Sequence, residues 1–208
     1  MSTATSNAAL APSLVSRGRG AALSESALVL LASFVIIAAA KISVPFFPVP
    51  MTLQTLAVMA VAASFGMRLG TLTVLTYFAE GLAGLPVFAN TPPAVAGPLY
   101  FMGTTGGFLA GFVVLALIVG FAADRGVDRS PLRLFATILA ADAVLFAMGF
   151  AWLAWGAHLA SGAHGVGASV AWSKGVLPFV LGDLLKIVLV AAAVPAVWNL
   201  IGGARSPR

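Results

Sequence analysis

The chain has 208 residues, of which 61% are hydrophobic and only 8% charged, with a mean hydropathy of +1.06. A soluble domain carries about 25% charged residues, so this composition excludes a water-soluble globular protein and describes one built mostly inside a bilayer. A formal charge of +5 would suggest nucleic acid for a soluble protein but matters here through its distribution, and the lack of cysteine excludes disulfide and thiolate chemistry.

Residues 1–20 are rich in Ala and Ser and read as a disordered tail. The first apolar segment, 23–42, follows Arg17 and Arg19 and contains Ala38-Ala39-Ala40, which raises a signal peptide as an alternative. Its run exceeds the roughly 7–15 apolar residues of such a peptide, and it reads as a retained span. Five more segments follow at 51–65, 69–82, 103–123, 132–155 and 175–201. A spanning helix takes about 20 residues, so the second and third are short, joined through the tight turn Gly66-Met67-Arg68-Leu69-Gly70. The connections are a proline-rich stretch at 44–50, a long loop at 84–102, a charged one at 124–131 and a Gly/Ala/His stretch at 156–173. The expected architecture is an all-α integral membrane protein. A tail over 1–20 leads into one six-helix transmembrane substrate-binding domain over 21–203, and a short tail covers 204–208.

Basic residues give the orientation. With the N-terminus in the cytoplasm, six spans return the C-terminus there. The cytoplasmic stretches then hold Arg17, Arg19, Arg68, Arg125, Arg129, Arg133, Arg205 and Arg208, eight of the eleven Lys and Arg. The outer loops keep Lys41 and Lys174, and Lys186 lies within the sixth segment. A multi-pass protein of the cell (inner) membrane is expected.

The strongest chemical signal is Gly182-Asp183-Leu184-Leu185-Lys186 inside that sixth segment. Asp183 and Lys186 are three apart and share a helix face. An ionisable group at membrane depth costs about 2.5–3.5 kcal/mol on insertion scales, so it faces a partner, a cavity or a ligand. Asp183 lies about 12 Å and Lys186 about 16 Å below Gly175, at helical rise. Thr52, Gln54 and Thr55 open the second helix at the outer face, Tyr77 and Glu80 close the third, Asn90 is in the long outer loop, and Thr104 and Thr105 open the fourth. Tyr77, Phe88, Tyr100, Trp172 and Phe179 supply aromatic surface. A few polar groups in an apolar, aromatic concavity make a small-ligand site. The candidate contacts are Asp183, Lys186, Gln54, Thr52, Asn90, Tyr77, Thr104 and Trp172. Each has a plainer reading: Asp183 and Lys186 as an ion pair, Gln54 and the threonines as interhelical hydrogen-bond partners, and Glu80 as a group reaching the interface. Asp142, mid-helix in the fifth segment, suits either a cross-helix partner or a proton carrier. His158 and His164, six apart in a loop without another ligand nearby, do not suggest a metal site. The glycines of 103–111 suggest close helix contact.

No Gly-x-x-x-x-Gly-Lys-Ser/Thr, Gly-x-Ser-x-Gly or His-Glu-x-x-His occurs, so the chain carries no phosphate-binding loop, nucleophile elbow or zinc helix of these kinds. Neither an enzyme nor a cofactor is indicated, and any ATP would be hydrolysed by another subunit.

Pro48-Val49-Pro50-Met51-Thr52-Leu53-Gln54-Thr55-Leu56 resembles the Pro-Val-Pro-x-Thr-Leu-Gln-Thr signature of BioY proteins, the biotin-binding S components of energy-coupling factor (ECF) transporters. The resemblance continues through Gly81-Leu82-Ala83-Gly84-Leu85-Pro86-Val87-Phe88-Ala89, Gly106-Gly107-Phe108-Leu109-Ala110-Gly111-Phe112 and Gly182-Asp183-Leu184-Leu185-Lys186, in family order. It implies a six-helix protein that captures biotin from outside, with Asp183 and Lys186 lining the pocket. It also implies work beside a transmembrane coupling subunit and a pair of ABC-type ATPases, and leaves homo-oligomerisation open. Two features depart from the family. Gly103-Thr104-Thr105-Gly106-Gly107-Phe108 stands where Gly-Pro-Thr-Gly-Gly-Tyr is frequent, and the first helix lacks a clear Ala-x-x-x-Ala docking patch. Biotin suits the residues: a carboxylate such as Asp183 accepts from ureido N–H groups, aromatic faces bury the bicycle, and Lys41 and Lys174 are outer cations for its carboxylate tail. The competing readings are an S component for a different small vitamin, a membrane enzyme using Asp142 or Asp183 as acid or base, and a non-transporting structural membrane subunit.

Overall fold

Long apolar runs in a chain with few charges form helices, because a backbone in lipid has to satisfy its own hydrogen bonds. The computed structural model describes residues 9–10, 21–45, 47–94, 96–159 and 161–204. Among them five helices are long and apolar enough to cross a membrane: α1 (Ala21–Lys41), α2 (Gln54–Leu82), α4 (Gly106–Ala123), α5 (Pro131–Ala151) and α7 (Leu177–Ala204). Two short helices, α3 (Pro98–Met102) and α6 (Ala168–Gly175), lie in the connections. A two-residue hairpin pairs Ser43 with Thr52 and Val44 with Met51. Most of the tail expected over 1–20, with Arg17 and Arg19, and Arg205 and Arg208 at the other end lie outside the described residues. Ala9 and Leu10 are described, and both are buried.

α2 is one helix only by its bounds. Gly66 has φ 77° and ψ −178°, a conformation that glycine reaches without a Cβ penalty, and the helix folds back there. Gln54 Nε2 donates to Tyr77 Oη at 2.8 Å, although 23 residues of straight helix would separate them by about 34 Å. The two arms touch tightly, and a Cβ on Gly70 would come within 3.1 Å of Ala62 Cα. The reversal expected over Gly66–Gly70 therefore takes a single residue, and the second arm resumes helical geometry directly after it.

Small residues also seat α4 on α5. A Cβ on Gly107 would lie 2.2 Å from Trp152 Cβ, and one on Gly111 would lie 2.9 Å from Leu145 Cγ. The glycines expected to allow close helix contact do so. The end of α5 widens into a π-turn, Trp152–Gly156, and Trp152 Nε1 donates to Gly103 O at 2.8 Å.

The two ends of the bundle differ in kind. At one end sit the Gly66 turn, the Asp124–Arg129 connection and the start of α1: Met67 N–H donates to Asp124 Oδ2 at 3.0 Å, Arg68 pairs with Glu25 at 3.1 Å, and Trp198 Nε1 donates to the buried Asp128 at 2.5 Å. At the other end the three long connections meet: Thr104 Oγ1 donates to Pro48 O at 2.9 Å, and His158 N–H donates to Met102 O at 2.8 Å. The segment expected as loop over 156–173 includes a helix, α6, which ends at Gly175 just before Pro178 restarts the chain within α7. Outward faces carry apolar side chains such as Leu31, Phe34, Leu181 and Leu185, each more than half exposed, as a lipid-facing surface requires.

Candidate functional site

A cavity of about 560 Å3, its open mouth included, lies within the end of the bundle where the long connections meet. Helical spacing aims its walls. On α4 and its N-cap, Thr105, Phe108, Leu109 and Phe112 recur at i, i+3, i+4 and i+7 and make one face. On α7, Phe179, Asp183 and Lys186 recur at i, i+4 and i+7 and make another. Thr52 comes from the two-residue β-hairpin, Gln54, Thr55 and Tyr77 from the two arms of α2, Leu145 and Phe146 from α5, and Val49, Pro50, Ala89 and Tyr100 from the connections.

The floor is a closed polar cluster. Asp183 is 2% and Lys186 8% exposed, and their ion pair measures 2.5 Å. Lys186 Nζ also donates to Thr52 O at 2.8 Å and to Thr55 Oγ1 at 2.8 Å, so all three ammonium hydrogens are placed. Thr55 Oγ1 donates in turn to Asp183 Oδ1 at 2.9 Å. Both contacts on the carboxylate fall on Oδ1, and among the described residues Oδ2 receives no hydrogen bond. The cluster thus holds a cation whose charge is spent inside the protein and a carboxylate with one oxygen left over. Above it, Gln54 is fixed to the Tyr77 hydroxyl and Thr52 Oγ1 accepts from Gln54 N–H at 3.2 Å. Aromatic rings form the upper walls: Tyr100 stacks on the buried Phe88 at 4.3 Å, with 12° between the planes.

Of the eight side chains expected at the site, Asp183, Lys186, Gln54, Thr52 and Tyr77 line the cavity. Asn90 is exposed beside the lining Ala89. Thr104 turns its hydroxyl to Pro48 O, and its neighbour Thr105 is the one on the wall. Trp172, 55% exposed, faces a separate apolar groove between α5 and α7, near Phe150 at 6.3 Å. Asp142 lines that groove as well, with Oδ1 buried and unpartnered among the described residues. Glu80 accepts from Ser33 Oγ at 3.0 Å. Thr55, Phe108, Phe112 and Phe146, which are not among the expected contacts, line the cavity as well. The i, i+3, i+4, i+7 stripe that begins at Thr105 is the signal that would have found the two on α4.

Lys41, expected as a cation for a ligand's tail, is otherwise engaged. Its Nζ donates to Phe88 O at 2.7 Å and Thr91 O at 2.5 Å. It ties the end of α1 to the loop that carries Phe88 and Ala89 over the cavity. Among the described residues no group of three or more His, Cys, Asp and Glu is placed to hold a metal ion.

The pattern of the BioY family matches residues 10–203. The biotin transporter BioY of Thermotoga maritima is 36% identical over 163 residues, covering 78% of this chain and 79% of that one. The probable biotin transporter BioY of Pyrococcus horikoshii is 35% identical over 147 residues, covering 71% and 79%. A crystal structure of the S-component for biotin from an ECF-type ABC transporter superposes with a TM-score of 0.71 at 21% identity, over 88% of this chain and 95% of that one, a likeness of fold.

Proposed function

The chain belongs to the BioY family, and from that premise we propose that it takes up biotin as the substrate-capturing S component of an ECF-type transporter, not as an enzyme. The observation that carries the reading is the polar floor of the cavity, where Lys186 and Thr55 hold Asp183 by one oxygen and leave the other to a ligand. A cyclic urea matches it. Its N–H groups donate to Asp183 Oδ2, and charge-assisted bonds of this kind are about twice as strong as neutral ones. The Gln54 amide, oriented by Tyr77, is the neighbouring group for the urea oxygen. Phe108, Phe112, Phe146 and Phe179 bury the bicycle, and the tail runs to the mouth framed by Val49, Pro50 and Ala89.

We place the cavity at the outer face and both termini in the cytoplasm, with the two arms of α2 counted as separate passes to make six. Arg68, Arg125, Arg129 and Arg133 support this, since all belong to the end remote from the cavity. In this arrangement a transmembrane coupling subunit and ABC ATPases supply the energy, and this chain binds no nucleotide and needs no cofactor.

Competition tests the substrate. Desthiobiotin keeps the ureido group and should displace labelled biotin far better than an analogue that lacks it, because a pocket built on buried polar groups rejects ligands that leave them unpaired. Equal displacement by the two would remove the assignment of Asp183 to the ureido ring.

The Lys41 tie predicts a kinetic effect. Lys41→Met removes hydrogen bonds worth about 1.5–3 kcal/mol to a charged donor and frees the loop over the cavity. Biotin dissociation should speed up by about tenfold or more in stopped-flow exchange, with association changed less. An unchanged dissociation rate would show that the loop does not cover the bound ligand.

A further inference from the structure

Two histidines in the outer connection are brought together by the fold. The backbone pairs as a small hairpin here: Leu159 N–H donates to Ala163 O at 3.0 Å and Gly165 N–H to Ala157 O at 2.8 Å. His158 and His164 are the residues paired across it. Side chains directly opposite each other on an antiparallel pair point to the same face, and the two imidazole centres are 4.4 Å apart, with 76° between the ring planes. Both side chains are exposed to solvent, and neither is used by the biotin site.

We propose that His158 and His164 form a chelating site for a late first-row divalent metal ion. Metal–nitrogen bonds of about 2.0–2.1 Å put the ion about 3.2 Å from each ring centre, so two ligands at a right angle have centres about 4.5 Å apart. The observed separation meets that requirement without movement of the backbone. The rings stand edge to face, and a turn about χ2, a broad torsion in histidine, aims one nitrogen of each at a common point. Imidazole pairs suit copper, nickel and zinc rather than magnesium or calcium. Only two protein ligands converge, so water completes the coordination and the ion remains exchangeable. The hairpin is tied by His158 N–H to Met102 O, which sets the site on the rim that also carries Tyr100. The six-residue spacing alone gave no reason to expect this; the hairpin register supplies it.

The test is titration of the untagged full-length chain in detergent with Ni2+, then with Zn2+, followed by calorimetry, beside His158→Ala and His164→Ala. One ion should bind per chain, and either substitution should weaken binding by about a hundredfold, because the second ligand is no longer tethered beside the first. Labelled biotin binding, measured on the same preparations, should survive in both variants and shows that they are folded. Absence of saturable binding to the wild-type chain, or equal binding by a folded single variant, would overturn the site. Copper is less diagnostic, since a free N-terminus also binds it.

Discussion

Asp183→Asn should weaken biotin binding by about a hundredfold while the chain stays folded. The substitution exchanges a charge-assisted acceptor for a neutral one, and hydrogen bonds to charged groups are worth about 1.5–3 kcal/mol, where 1.4 kcal/mol is about tenfold in affinity. The fold is spared because Lys186 keeps two partners, Thr52 O and Thr55 Oγ1, each at 2.8 Å. Breaking a buried pair usually costs about 3–5 kcal/mol, through the charge left uncompensated, and those two acceptors reduce the loss here. Equilibrium binding of labelled biotin reads the first effect and size-exclusion in detergent the second. Aggregation of the variant before any change in affinity would favour a structural ion pair instead.

Gly66→Ala should have the largest effect on stability. A backbone at φ 77° and ψ −178° lies in a region essentially restricted to glycine and costs an L-residue about 1–3 kcal/mol, and a Cβ at this position would come within 2.0 Å of Asp124 Oδ1. Asp124 cannot swing away freely, since its other oxygen accepts the Met67 N–H at 3.0 Å. The combined penalty is of the order of 3–5 kcal/mol, above the roughly 0.5–3 kcal/mol of most single substitutions, and appears as a strongly lowered midpoint in thermal unfolding followed by tryptophan fluorescence. Adding Asp124→Ala removes the overlap but not the φ strain, so the double variant should recover only part of the loss. A wild-type midpoint for Gly66→Ala would mean that the helix does not turn back at this residue.

The parts legible in the sequence are those fixed by local spacing. Charge three apart on a helix places Asp183 and Lys186 on one face whatever the neighbours do, and Thr52, Gln54 and Tyr77 belong at helix ends that a short hairpin must bring together. The membrane-embedded helical class followed from a charge content too low for water. The rest depends on rotation and on loop paths. The sequence places Thr55 as a polar residue at the start of a helix, but its bridge to Asp183 and Lys186 arises from how α2 is turned against α7. Asn90 and Thr104 each sit one residue away from the wall, at Ala89 and Thr105, a shift that only the course of the loops decides. Trp172, expected in a loop, belongs to α6 and turns to the groove between α5 and α7. Lys41, an exposed cation by sequence, is claimed by two loop carbonyls 47 and 50 residues away. The edge-to-face histidines likewise depend on a register that composition does not encode.

The most direct test of the account is equilibrium binding of labelled biotin to the purified chain in detergent, with no coupling subunit or ATPase present. Saturable, high-affinity binding at one biotin per chain is the result expected of a substrate-capturing subunit. A monodisperse, thermally stable preparation that binds no biotin would contradict it, and with it the assignment of the Asp183 floor to a ureido ring.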